Sequence, residues 1–193
     1  MTPSQLESRK TQFIDCEMLC WPNKQIPEGQ SNHIIQIGIV EVDAINFTIT
    51  RSQGYYVRPK NKNFDVSEYC TNLTGITKET LLSKGKYFPE IMKTIQKEFG
   101  TRNRVTYAWG NDHEPIRAQC LLHGCENPWS ETGIWDFGVL FRQAFCLKTK
   151  LPLSKALERV NLPFPGKAHD AVNDATALAN LHIEMMNRIR NFK

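Results

Sequence analysis

Three segments rich in β-branched and aromatic residues fill the first third of the chain and constrain its fold more than anything after them. They run over residues 11–18, 33–43 ("HIIQIGIVEVD") and 47–59 ("FTITRSQGYYVRP"), and polar or Pro/Gly-bearing stretches separate them. Such an order predicts an antiparallel meander of three strands. The connection "WPNKQIPEGQSN" (21–32) is too rich in proline for regular structure, and long enough to have a function.

Beyond the meander the apolar period changes from two to that of a helix. "LTGIT" (73–77) reads as a compact turn. A helix is expected from Pro89 to just before Gly100, with Ile91, Met92, Ile95 and Phe99 as its apolar stripe. "RVTYAW" (104–109) reads as a strand, and a helix follows Asp112 with Ile116, Cys120 and Leu121 facing inward and Gly124 as its stop. "LPLSKALERV" gives a short helix. Residues 170–190 give the longest one, striped by Ala171, Ala175, Leu178, Ala179, His182, Met186 and Ile189. Strands followed by alternating helix and strand predict one α/β domain over residues 11–190, behind a polar tail at 1–10. Trp21, Trp129 and Trp135 are expected to be packing residues.

Composition narrows the class. The chain has 193 residues, 40% hydrophobic and 23% charged, enough for one sizeable core. Lysine and arginine outnumber acids 24 to 20, a net charge of +4 that permits an anionic partner without demanding one. "MTPSQLESRK" lacks the apolar core of a secretory signal and no later run reaches membrane-spanning length, so a soluble, cytoplasmic protein with no membrane partner is expected. The six scattered cysteines are expected to be reduced and mostly buried. Cys120, His123 and Cys125 would make half of a zinc site, but no second ligand pair stands at suitable spacing.

The chemistry begins at "FIDCEM" (13–18). Residues two apart on a strand share a face, so Asp15 and Glu17 project together while Ile14, Cys16 and Met18 turn the other way. Two carboxylates in a partly buried place repel each other unless cations neutralise them, and hard oxygen ligands suit magnesium or manganese. A hydrated strand end would carry the same pair. Asp112 then follows a predicted strand at the mouth of a helix in "WGNDHEP". In "KAHDAVNDA", His169 stands five residues before Asp174 at the start of the last helix.

The order Asp-x-Glu, Asp, His-x-x-x-x-Asp resembles the DEDDh group of 3′-to-5′ exonucleases. The accompanying "IIQIGIV", "YCTNLTGIT", "YAWGND" and "LSKALERVNLPFPGKAHDAVNDA" are similar to the branch that holds the histone-messenger exonucleases and the bacterial KapD-type proteins. The resemblance implies a ribonuclease H-like α/β fold: a mixed central sheet, the meander plus parallel strands, flanked by helices. It makes Asp15, Glu17, Asp112 and Asp174 the carboxylate ligands of two divalent cations, Mg2+ or Mn2+, and His169 the general base. Two cations about 4 Å apart can hold an attacking water and stabilise a leaving 3′ oxygen. An imidazole can accept that water's proton near neutral pH. In many relatives the third aspartate lies one residue further on, where this chain has His113, so His113 is the alternative to Asp112. Glu114 is explained as an acid in a first helical turn, and Asp170, one turn before Asp174, either reaches the site or, as favoured, only stabilises the helix N-terminus.

The implied substrate is a single-stranded nucleic acid, RNA favoured over DNA, cleaved to nucleoside 5′-monophosphates. Tyr69 and Trp109 match positions that contact terminal nucleotides in relatives, where aromatic faces stack on bases. Met18 and Leu73 would pack the terminal sugar and base, and Lys167 would meet a phosphate; core packing is the alternative for the four apolar and aromatic residues, and a solvated loop for Lys167. A protein partner is expected to assist substrate choice. The rival readings are a single-stranded DNA exonuclease, a nucleotide phosphohydrolase, and a catalytically silent nucleic-acid-binding module on the same fold.

Overall fold

The computed structural model describes residues 9–61 and 63–191, so the expected polar tail lies outside the described residues except for its last two positions. Five strands form one sheet in the order β3-β2-β1-β4-β5. β1 (Lys10–Met18), β2 (Ile34–Asp43) and β3 (Thr48–Tyr56) make the antiparallel meander expected from their composition. β4 (Val105–Ala108) and β5 (Ile134–Asp136) add to the other side of β1 in parallel. The helices are α1 (Glu68–Thr74), α2 (Lys78–Lys84), α3 (Phe88–Phe99), α4 (His113–His123), α5 (Phe137–Ala144), α6 (Leu153–Arg159) and α7 (Ala171–Asn191).

Strand alternation sorts the core onto the two faces of the sheet. On one face Phe13, Val40 and Val42 meet Phe137 and Phe141 of α5, Leu157 of α6, and Ala175, Leu178 and Leu181 of α7. On the other, Ile14, Ile37 and Ile39 meet Phe88, Ile91, Ile95 and Phe99 of α3 and Ile116 and Cys120 of α4. A third cluster of Leu19, Trp21, Ile35, Phe64, Cys70, Ile76 and Leu81 holds α1 and α2 against the end of the meander. "LTGIT" is the junction of those two helices. Gly75 takes a left-handed φ of 81° there to end α1, and Thr77 caps α2 through Thr80 N–H.

Several sequence expectations are corrected. Leu121 does not face inward; it is 71% exposed, and Gln119 takes the inner position, where its Oε1 accepts the Ile34 N–H at 2.9 Å. A buried amide thus satisfies the otherwise unpaired start of β2. Ile189, on the last turn of α7, is 62% exposed, and Met186 is only partly buried. Trp135 is not a packing residue: it stands exposed on edge strand β5, its indole N–H donating to the Thr132 carbonyl, whereas Trp21 and Trp129 are buried. Of the six cysteines, all free thiols, only Cys70 and Cys120 are buried, and Cys146 is exposed. Among the described residues no helix is long and apolar enough to cross a membrane.

Candidate metal centre

β1 carries Asp15 and Glu17 on the face that also bears Phe13, and α7 crosses that face. Asp174 lies in the first turn of α7, which brings its carboxylate down onto the pair. One oxygen each from Asp15, Glu17 and Asp174 lie within 4.8 Å of one another. Sequence distances of more than 150 residues are therefore closed by one helix landing on one strand.

Asp112 joins from the other side. It sits at the N-cap of α4, just beyond the carboxyl end of β4, but its side chain does not cap the helix. It turns toward β1 instead, where the Cys16 N–H donates to it, and its charge is the foremost of those acting on Asp15. Asp112 stands beside the trio and outside the 4.8 Å group. His113 pairs with Glu114, Nε2 to Oε1 at 3.4 Å, and Glu114 pairs with Arg117 at 2.7 Å. Both are thus engaged on the exposed surface of α4.

The electrostatics of this cluster suit the binding of cations. Burial, then the charges of Asp112, Asp174 and Glu17, holds the Asp15 carboxyl well above the usual carboxylate range. Burial and the neighbouring acids push Glu17 up to about 8. Burial raises Asp112 to about 6, against the Cys16 N–H and the Lys150 ammonium. Asp174 rises to about 6 for the same first reason, opposed by the charge of His169. Oδ2 of Asp174 is buried and has no hydrogen-bond partner. An unpartnered buried oxygen among mutually repelling carboxylates fits a hard divalent cation, which would satisfy the oxygen and cancel the repulsion.

His169 is exposed in the loop before α7, with a left-handed φ of 62°. Asp170 behaves as a cap: its Oδ1 accepts the N–H groups of Val172 and Asn173, both at 3.1 Å. Lys167 reaches the "LTGIT" turn, where a Cβ built at Gly75 would lie 3.6 Å from its Nζ. Tyr69 is exposed on α1, and Leu73 is half-buried one turn later. Trp109 is half-buried; its indole N–H donates to the Leu151 carbonyl at 3.1 Å and its ring meets Phe141 edge-on. It is therefore engaged in packing. Met18 packs with the core on the opposite face from the acids and lines a shallow cavity with His33, Pro115, Gln119 and Leu122.

Sequence reasoning missed the pair Asp136–Lys150, joined at 3.0 Å. Gly110 and Gly138 leave room for the lysine: a Cβ at Gly138 would press its stem, and one at Gly110 would lie 3.3 Å from its Nζ. Both members of the pair act on the charge of Asp112. The signals in the sequence were the two glycines, Gly110 and Gly138.

Known proteins resemble this chain in sequence and in fold. The 3'-5' exoribonuclease 1 of Rattus norvegicus is 25% identical over 187 residues, covering 90% of this chain and 52% of its own length. The 3'-5' exonuclease Snipper of Drosophila melanogaster is 25% identical over 192 residues, covering 90% of this chain and 68% of its own. This chain therefore spans about half the length of the rat relative. Among solved structures, the nuclease domain of 3'hExo, a DEDDh family member bound to rAMP, superposes with a TM-score of 0.80 at 20% identity. The match covers 94% of this chain and 93% of that domain, and it identifies the fold as ribonuclease H-like. The family model described as Exonuclease, RNase_T, matches residues 13–182, from the strand that bears Asp15 to the helix that bears Asp174, and the chain belongs to that exonuclease family.

Proposed function

We propose that this chain is a 3′-to-5′ exonuclease that uses two divalent cations, Mg2+ or Mn2+, and trims single-stranded nucleic acid, RNA ahead of DNA, to nucleoside 5′-monophosphates. The observation that carries the reading is the convergence of Asp15, Glu17 and Asp174, with the unpartnered Asp174 Oδ2, beside an exposed histidine. Cations held by these residues and Asp112 would supply Lewis-acid stabilisation of the phosphodiester and of the leaving 3′ oxygen.

The chain's own groups provide the rest. His169, on a loop open to solvent, takes the proton of the attacking water through its imidazole. It stands at the entry to α7 with a left-handed backbone, and its charge acts on Asp174. Tyr69 offers a free aromatic face for the terminal bases, Leu73 an apolar contact one turn further along α1, and Lys167 a cation across the turn at Gly75 for the phosphate. A domain over residues 11–190 carries all of these groups. The preference for RNA draws on the rat relative, which is named an exoribonuclease, and on the ribonucleotide in the neighbouring structure.

Matched single-stranded RNA and DNA oligomers, each with a free or a blocked 3′ hydroxyl, test this reading. Faster loss of RNA, slowed by the 3′ block, is expected. Cutting that ignores the block would mean an endonuclease, and faster loss of DNA would reverse the proposed preference.

A further inference from the structure

Within the apolar run "IIQIGIV" of β2, Gln36 is 3% exposed and faces α7 rather than water. Both ends of its amide are used. Nε2 donates to Asp170 Oδ2 at 3.1 Å, and Oε1 accepts the Ala171 N–H at 3.0 Å. Gln36 therefore grips the cap and the first residue of α7 together, which leaves Asp170 Oδ1 free to cap Val172 and Asn173.

The sheet beside it is shaped for the same contact. Gly38 pairs across the ladder with Asp15 on one side and Gly54 on the other. A Cβ at Gly38 would overlap the Ala171 carbonyl, and one at Gly54 would lie 2.6 Å from a Val172 methyl. Two glycines side by side thus form a trough into which the backbone of the first turn of α7 sinks. The next row of the ladder pairs Gln36 with Glu17. Each acid of β1 consequently has, as its cross-strand neighbour, a residue that fixes the height and rotation of α7, and Asp174 is one turn beyond that fixed point.

We propose that Gln36, with the Gly38–Gly54 trough, is a positioning residue: it locks the first turn of α7 at the distance from β1 at which Asp174 meets Asp15 and Glu17. Its role is indirect, because both of its hydrogen bonds go to the start of α7, at Asp170 and Ala171. The inference rests on the metal-site reading above and adds to it the element that sets the spacing of the ligands. Partners that orient ligand-bearing groups typically alter metal affinity by about 10–100-fold when removed.

Mn2+ binding followed by electron paramagnetic resonance, without nucleic acid, tests it on the full chain. The variants are Gln36→Met, of similar volume and neutral, the milder Gln36→Asn, which cannot span both bonds, and Met185→Ala, a destabilising change further along α7. All are compared with wild type well below their melting temperatures. Gln36→Met, or Gln36→Asn if the first does not fold, is expected to weaken Mn2+ binding about tenfold or more, while Met185→Ala leaves it unchanged. Equal affinity in the folded Gln36 variant and wild type would overturn the positioning role. An equal loss in Met185→Ala would overturn it too, by showing that affinity follows stability alone. Failure of wild type to bind Mn2+ would instead sink the metal-site reading itself.

Discussion

Asp15 stands among more negative charge than a strand residue tolerates without compensation, and this makes its role testable in two opposite directions. Asp15→Asn replaces a carboxyl that burial and the neighbouring acids disfavour in its ionised form, so in chelator at pH 8 it is expected to stabilise the protein by about 0.5–2 kcal/mol, the usual range for relieving a functional strain. The same change is expected to abolish cleavage. Urea unfolding in chelator, set beside a cleavage assay, checks both. A variant less stable than wild type would show that the site is not strained without cations. His169 should separate differently, because as a general base it moves a proton and holds no cation: His169→Ala is expected to slow cleavage by about 10²–10⁴-fold with Mn2+ binding retained. The alternation that aims Asp15 and Glu17 together was readable from six residues. The direction in which Asp112 leaves its short loop was not, because the Cys16 N–H that receives it lies almost a hundred residues away.

At the scale of elements, the meander, α3, α4 and α7 were legible because each has a strong period or a firm stop. The seven-residue helices α1 and α2 and the three-residue strand β5 were not. They are too short to show a period, and tertiary packing of Cys70, Leu81 and Ile134 holds them instead. The exposed Leu121 and buried Gln119 show the same limit, since hydropathy cannot anticipate that an unpaired N–H of β2 would recruit an amide. α7 carries a further consequence in His182, which lies among the rings of Phe13, Tyr107 and Phe137 with Nδ1 unpartnered. Burial lowers its pKa to about 4 from the ordinary 6.5, so the unfolded chain binds the extra proton between those values. Its contribution is complete above pH 6.5 and is lost as pH falls toward 4, on the order of 3 kcal/mol at most. His182→Leu is expected to lose less stability than wild type between pH 7 and 4.5 in urea titrations. An identical loss would mean that the imidazole is not the acid-sensitive group.

For the whole molecule, the raised carboxylates set the opposite slope. Glu17, at about 8 folded against an ordinary 4.5, and Asp112 and Asp174, at about 6 against 3.8, bind protons in the folded state that the unfolded chain has released. Their contribution is complete below the ordinary values and is lost as pH rises, through 6 for the aspartates and through 8 for Glu17. In chelator, unfolding at pH 8 should therefore be easier than at pH 6.5, where His182 is already largely neutral. Saturating Mn2+ should raise the melting temperature more at pH 8 than at pH 6.5, because protons no longer compete for the same oxygens. Thermal melts at the two pH values check this; an equal gain at both would mean that the ion binds elsewhere.

The most direct measurement is a time course on 5′-labelled single-stranded RNA with Mg2+ or Mn2+, run for wild type and Asp15→Ala and repeated with chelator. Wild type is expected to give a ladder of products shortened from the 3′ end, with chelator and Asp15→Ala each abolishing it. Intact RNA and DNA in both metals with wild type, or a ladder from Asp15→Ala equal to that of wild type, would contradict the proposed exonuclease mechanism.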